Sequence, residues 1–324
     1  MKKSILTIAS AIAGLSMMSS TARADCGEVV ITEMNWASSA LITSVSKFIM
    51  QQGYGCTVQT VPSSTVPSIT SVAETGKPDI VTELWLSTAG VAYSKLESQG
   101  KVVTAAKVIS DGGQEGWWIP KYLADKYPEL KTIDGILANP TLVGSVFHNS
   151  PVGWGSRNVN DNMKVAYGLE AHSIEVFDHG SGETLAASMA SAYQNKEPWF
   201  GYYWAPTAVL GKYPMVKVDV GPYTPEVYSC NTTQECAKPG KSDYPAAKVV
   251  TAVTKDFSDR EPEIFELMKN ISLSSQQLSE LLAWQDQNKA SVDEAAVYFL
   301  TNYKDAWSGW LSDDARQKLS ALLN

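Results

Sequence analysis

Gly27-Glu28-Val29-Val30-Ile31-Thr32-Glu33-Met34 is apolar through its centre and reads as a buried strand, and Ser38 to Gln52 behind it reads as an amphipathic helix. Cys56 to Val61 then reads as a strand, Thr65 to Thr75 as a helix, and Asp79 to Leu84 as a third strand. Such alternation marks parallel βαβ units joined by right-handed crossovers. Sheets built this way take ligands in the crevice beyond the carboxyl ends of their strands. Trp36 follows the first strand and Trp85 ends the third, so both indoles are expected at that crevice.

A second series follows. Gly116 to Pro120 reads as a strand entering a new lobe, with helices at Lys121 to Lys126 and Thr132 to Asn139. Leu142 to Phe147 is the next predicted strand, Arg157 to Glu170 a helix, Ser173 to Phe177 a strand and Thr184 to Asn195 a helix. Trp199 to Trp204 is an aromatic strand closed by Ala205-Pro206, and Met215 to Val220 leads back. Lys248 to Thr254 reads as a last strand of the first lobe, and about four helices fill Glu261 to Leu323. The expected fold is α/β with two lobes, each a mainly parallel sheet flanked by helices. Lobe 1 takes residues 25–115 and 219–324, lobe 2 residues 116–218. The crossings near Gln114–Gly116 and Val218–Gly221 are the expected hinges.

The ends and the composition narrow the setting. Lys2 and Lys3, the apolar run Ile5 to Met18 and Ala22-Arg23-Ala24 form a signal peptide over residues 1–24, with cleavage before Asp25. The run is too short to span a bilayer, so export to the periplasm as a soluble chain is expected. The roughly 300 residues that follow exceed the size at which one hydrophobic core stops growing, which favours two lobes. A net charge of −8 argues against nucleic acid as a partner. Four cysteines in an exported chain point to disulfides. Cys26 and Cys56 each precede a strand expected to neighbour the other, and Cys230 and Cys236 flank one polar loop. Of the three possible pairings, Cys26–Cys56 with Cys230–Cys236 is therefore preferred. Zinc is the rival, but no histidine lies near any cysteine.

The chemistry is carried by aromatic residues. The chain holds 10 tryptophans, and Trp36, Trp85, Trp154 and Trp204 each fall at the end of a predicted strand, with Trp117 and Tyr203 as near candidates. Core packing explains Trp199, Trp284, Trp307 and Trp310, the last two following Tyr303 at helical spacing. Convergent aromatic faces make a box for a quaternary ammonium, which has no N–H donors to leave unpaired. Around Trp154 the sequence runs Ser150-Pro151-Val152-Gly153-Trp154-Gly155-Ser156 into the predicted helix. The first free amides of that helix, at Gly155 and Ser156, suit an anion. Indole face and amides together suit a small zwitterion. Glu33 and Glu115 fall near the cleft, where a carboxylate would complement an ammonium or accept a ligand proton.

No nucleophile elbow, phosphate-binding loop or His-Glu-x-x-His motif occurs, so no catalytic residue, metal or cofactor is assigned. Among the three histidines, His179 lies in Phe177-Asp178-His179-Gly180-Ser181-Gly182-Glu183, read as a strand-to-helix turn capped by Ser181 or Gly182. An exported enzyme acting on a methylamine is the different-class alternative, and an amino-acid binder a further one. The enzyme lacks a nucleophile–base set, and the amino acid lacks partners for its N–H groups in an all-aromatic cage.

The segments Pro151-Val152-Gly153-Trp154-Gly155-Ser156 and Trp199-Phe200-Gly201-Tyr202-Tyr203-Trp204-Ala205-Pro206, with Trp85 before them and Tyr303 to Trp310 after, resemble the glycine betaine-binding proteins of ABC importers, the ProX/OpuAC-like periplasmic substrate-binding family. The resemblance implies a type II two-lobe binding protein, with permease subunits in the inner membrane as partners; a monomer is expected. It also implies a cage of Trp85, Trp154 and Trp204 and carboxylate donors at Gly155 and Ser156. One departure is plain: where some members carry a histidine four residues after the first cage tryptophan, this chain has Ala89. Trp36 is an extra aromatic, which resembles choline-type binders. The expected ligand is glycine betaine or proline betaine, ahead of choline, trimethylamine N-oxide and dimethylsulfoniopropionate.

Overall fold

In the computed structural model, residues 26–323 are described; the signal-peptide reading lies outside them. The first lobe begins with β1 (Glu28–Met34), α1 (Ala37–Tyr54), β2 (Thr57–Ser63), α2 (Thr65–Thr75), β3 (Ile80–Trp85) and α3 (Leu86–Ser98). The long strand β4 (Val102–Pro120) leads into α4 (Lys121–Lys126), α5 (Ile133–Ala138), β5 (Val146–Asn149), α6 (Gly155–Tyr167), β6 (Glu175–Asp178), α7 (Gly182–Asn195), β7 (Gly201–Ala205), α8 (Ala208–Lys212), β8 (Met215–Lys217) and α9 (Pro225–Asn231). The return comes through β9 (Ala247–Thr254), followed by α10 (Lys255–Arg260), α11 (Pro262–Asn270), α12 (Ser275–Asn288), α13 (Val292–Asn302), α14 (Lys304–Trp307) and α15 (Asp313–Leu322).

The strand order is β2-β1-β3-β9-β4-β7-β5-β6, with β8 beside β4. Pairing is parallel at both flanks, β2-β1-β3 and β7-β5-β6, where crossover helices force it. Through the middle it is antiparallel, because β9 and β4 run against their neighbours. The expectation of mainly parallel sheets therefore holds only for the flanks. β4 has 19 residues and belongs to both lobes: it pairs with β9 as far as Gly113↔Ala247 and with β7 from Gln114↔Ala205 onward. One strand thus carries the chain across, at the place where the sequence puts the first hinge.

The way back differs from the expectation of a return at residue 219. α9 and the loop after it stay on the second lobe, held to α6. Asn162 Nδ2 donates to the carbonyls of Asn231 at 3.0 Å and Thr233 at 2.8 Å, and the Tyr244 hydroxyl donates to Asn160 Oδ1 at 2.8 Å. Only at Ala247 does the chain rejoin β4 in the first lobe. The polar stretch from 221 to 245 has no apolar period to show which lobe it covers, and asparagine side chains reaching backbone carbonyls decide it.

Both preferred disulfides are present, Cys26–Cys56 and Cys230–Cys236. The first joins residues just ahead of β1 and β2, whose parallel register pairs Glu28 with Thr57. Ser181 caps α7 in a reciprocal capping box with Thr184. Trp199, Trp307 and Trp310 are buried in the core, and Trp284 stacks on Tyr298 with ring centroids 3.8 Å apart. The stripe from Tyr303 to Trp310 is not one helix: α13 ends at Asn302, and a short α14 and a 3-10 turn carry the two tryptophans inward.

Candidate functional site

Three of the four strand-end tryptophans occupy the residue just before a helix: Trp36 before α1, Trp85 before α3 and Trp154 before α6. Each has extended backbone angles there and makes no side-chain cap. Their indoles are therefore free to converge on the gap between the lobes. Trp204 comes from the end of β7. Trp154 meets Trp204 edge-on with centroids at 4.9 Å, and Trp36 edge-on at 5.5 Å. Each of the four is only 5 or 6% exposed.

They line a cavity together with Thr65, Thr88, Glu115, Gly155, Ser156 and Tyr202. The indoles of Trp36, Trp154 and Trp204 meet one another at its wall, so a compact solute is what fits. Both lobes contribute, and they touch across the gap. The Trp154 indole N–H donates to Asn35 Oδ1 at 2.7 Å, and the Val66 amide donates to the Gly153 carbonyl at 3.0 Å. Gly155 permits the approach, since a Cβ there would lie 2.6 Å from the Cβ of Thr88. The lobes are drawn together in this conformation.

Two buried carboxyls stand beside the four indoles. Glu115 is on β4 opposite Trp204, is 2% exposed and lines the cavity. Its Oε1 accepts from the Tyr202 hydroxyl at 2.7 Å and its Oε2 from the Ser87 hydroxyl. Burial raises its pKa, with these hydrogen bonds working against the rise. Tyr202 is buried in turn, and burial holds its phenol well above the usual value. Glu83, on β3, accepts from the indoles of Trp36 at 2.7 Å and Trp85 at 3.2 Å and from the Ser38 hydroxyl at 2.7 Å. Burial pushes its carboxyl up to about 7. Ser38 and Ser87 stand in the first turns of α1 and α3, where helix N-termini favour negative charge.

Not every sequence candidate is placed at the cavity. Trp117 lies two residues further along β4 than Glu115 and is 1% exposed, packed among Phe147, Tyr167 and Phe200 beneath α6, with its indole on Asn160 Oδ1 at 2.8 Å. Tyr203 faces away: strand alternation puts Tyr202 and Trp204 on the cavity side of β7 and Tyr203 on the other. Glu33 lies on β1, paired with Pro62, and does not line the cavity. Tyr202, Thr65 and Glu83 are not singled out by the sequence reading. Alternation along Trp199 to Trp204 signalled Tyr202. A charged residue inside the apolar strand Asp79 to Leu84 signalled Glu83.

A family model described as the substrate binding domain of ABC-type glycine betaine transport systems matches residues 27–302. The trimethylamine N-oxide-binding protein of Pelagibacter ubique is 22% identical over an alignment of 294 residues that covers 86% of this chain and 89% of that one. The fold is shared with a glycine betaine/L-proline-binding protein (ProX) from Borrelia burgdorferi, with TM-score 0.72 and 18% identity over 90% of this chain and 99% of that one. An ABC-transporter choline-binding protein in complex with choline gives TM-score 0.73 at 17% identity, over 92% of this chain and 99% of its own. Lactococcal OpuAC, closed on glycine betaine, gives 0.67 at 17% identity, over 88% and 100%.

Proposed function

This chain belongs to the family of substrate-binding domains of ABC-type glycine betaine transport systems, and on that premise we propose that it captures trimethylamine N-oxide and delivers it to permease subunits from the periplasm. The observation that carries the choice is Glu115, a buried carboxyl inside a cavity walled by four tryptophans. The aromatic faces take the methylated nitrogen of any ligand of this class and cannot choose among them. The polar end of the cavity chooses. An N-oxide oxygen is a stronger base than a betaine carboxylate, so of the two it is the better partner with which the buried Glu115 can share a proton. A betaine carboxylate, which stays ionised, would set a second negative charge beside Glu115 in a medium of low dielectric. The absence of the family histidine at Ala89 takes a carboxylate donor away as well. The curated relative from Pelagibacter ubique is named for the same ligand.

The betaines stand second, and one observation favours them. Gly155 and Ser156 line the cavity at the head of α6, a 13-residue helix whose first amides favour an anion. Side-by-side calorimetric titration of trimethylamine N-oxide, glycine betaine, proline betaine, choline and dimethylsulfoniopropionate separates the readings, repeated on Glu115→Gln. Trimethylamine N-oxide should bind tightest to the natural protein, and glycine betaine should gain affinity in Glu115→Gln as the repulsion goes. Tightest binding of a betaine to the natural protein would refute the N-oxide reading. Turnover of any of these compounds would favour the enzyme alternative.

A further inference from the structure

Glu83 is not among the residues lining the cavity, and yet its placement opposes folding in three ways. Its backbone has φ +50°, the left-handed region, at a bulge of β3 between Val81 and Leu84. Its side chain is wholly buried. Its Oε2 has no hydrogen-bond partner, while Oε1 takes three donors. A neutral residue would pack there with less desolvation, so packing alone does not account for a carboxylate.

What the carboxylate does have is the N–H edge of two cage walls. Accepting from the indoles of Trp36 and Trp85, it fixes both rings from behind. Negative charge at the N–H edge polarises an indole and enriches its face in electrons, and that face is what attracts a cation. The field of the charge also reaches across the thickness of the rings, poorly screened where water is excluded. Resting on the reading that the cavity takes a methylated, positively charged nitrogen, we infer that Glu83 is a positioning and specificity residue that supplies negative charge to the cage through Trp36 and Trp85 without touching the ligand. Its carboxyl, pushed up to about 7, is part-ionised in the empty protein near neutral pH, and a bound cation draws the ionisation to completion.

The test compares the natural protein with Glu83→Gln, after melting curves establish that the variant is folded. Both are titrated with trimethylamine N-oxide, with choline and with 3,3-dimethylbutan-1-ol, the uncharged carbon analogue of choline, by calorimetry or competition. Affinity for the two compounds with a positive nitrogen should fall about tenfold, while that of the alcohol changes less than about twofold. Equal losses for charged and uncharged ligands would overturn the charge role and leave Glu83 a prop for the indoles; unchanged affinities would overturn it too. Should Glu83→Gln not fold, choline and the alcohol are titrated against the natural protein across neutral pH. Choline affinity should rise as pH climbs through about 7 and the alcohol stay level; a parallel course would overturn the inference. The groups packed on Glu83, namely Trp36 and Ser38 at the head of α1 and Trp85 on β3, do not titrate there. Glu115 on β4, the one carboxyl in the lining among the described residues, is removed by repeating the series in Glu115→Gln. Natural protein that bound none of the methylated compounds would overturn the functional reading and this one together, whereas binding without a Glu83 effect overturns this one alone.

Discussion

Gly155→Ala should make the protein bind poorly while leaving it as stable as before, or more so. Gly155 is the first residue of α6 and has no positive φ, so alanine fits its backbone. Alanine is the better helix former, by up to about 1 kcal/mol in a helix interior. The difficulty is across the gap. The new Cβ would lie 2.6 Å from Thr88 Cβ, and closer still to Thr88 Oγ1, with Thr65 Cγ2 at 3.4 Å. Carbon atoms prefer about 3.5–4.0 Å, so roughly 1 Å must be yielded. A threonine Cβ cannot swing away as the tip of a lysine can; α3 and α6 must part instead. Parting them draws Trp154 off Trp36 and strains its 2.7 Å bond to Asn35. Losing one desolvated cation–π wall is worth about 2 kcal/mol, a loss of affinity of roughly 30-fold. Calorimetry reads the affinity and circular dichroism the melting temperature of the empty protein. Small-angle scattering with saturating ligand should show less compaction than in the natural protein. Gly180→Ala is the control, because nothing lies within 4 Å of a Cβ there. Gly155→Ala binding within about threefold of the natural protein would refute the claim that closure across Thr88 and Gly155 completes the site.

Two further outcomes follow from the same geometry. Trp154→Ala and Trp204→Ala should each weaken ligand binding by about 1–3 kcal/mol. Trp310→Ala, which empties a core site stacked on Phe299 at 5.8 Å, should cost about 3–5 kcal/mol of stability with affinity nearly intact; titrations paired with denaturant melts separate the two classes. Glu83 makes the stability of the empty protein depend on pH. Its carboxyl holds a proton up to about 7 in the folded chain, against the ordinary 4.5. Stability from this group is full below about 4.5, falls as pH rises toward 7 and is level beyond. His148, held down to about 4 by burial, gives the opposite slope, losing stability as pH falls from about 6.5. The readout is therefore the difference between natural protein and Glu83→Gln, expected to change by roughly 3 kcal/mol across that window. A pH-independent difference would show that Glu83 does not titrate there.

Much of the frame was legible because strand and helix alternate by simple patterns. α2 spans Thr65–Thr75 as expected, and β1, β3, β7 and β9 fall within a residue or two of their predicted bounds. The middle of β4 was not legible. Ser110-Asp111-Gly112-Gly113-Gln114 is polar and glycine-rich and reads locally as a turn, yet it is strand, with Gly113 bare so that the Trp85 ring can lie against it. Tertiary contact overrode local propensity there. α3 was passed over for a related reason: it starts directly on Trp85 with no polar cap, and its small and apolar residues give a weak period.

The site divides along the same line. Position put Trp36, Trp85, Trp154 and Trp204 forward, since each lies at or shortly after the end of a strand, where sheets of this kind face a crevice, and all four line the cavity. Which neighbours join them depended on the two-residue period of a strand: Trp204 on the cavity implies Tyr202 and excludes Tyr203. Counting by proximity picked Tyr203, and counting by parity would have picked its neighbour. Trp117 is wrongly included by both counts. It shares the parity of Glu115, and only the depth of α6 above it decides that it is core. Glu83 was the hardest to see, because its side chain reaches the cage through a bulge that breaks parity. No period in a sequence marks a bulge of that kind. The chemical oddity does: a glutamate inside a buried strand must be answered by donors, and those that answer it are the indoles of Trp85 and, one βαβ unit back, Trp36, with the Ser38 hydroxyl.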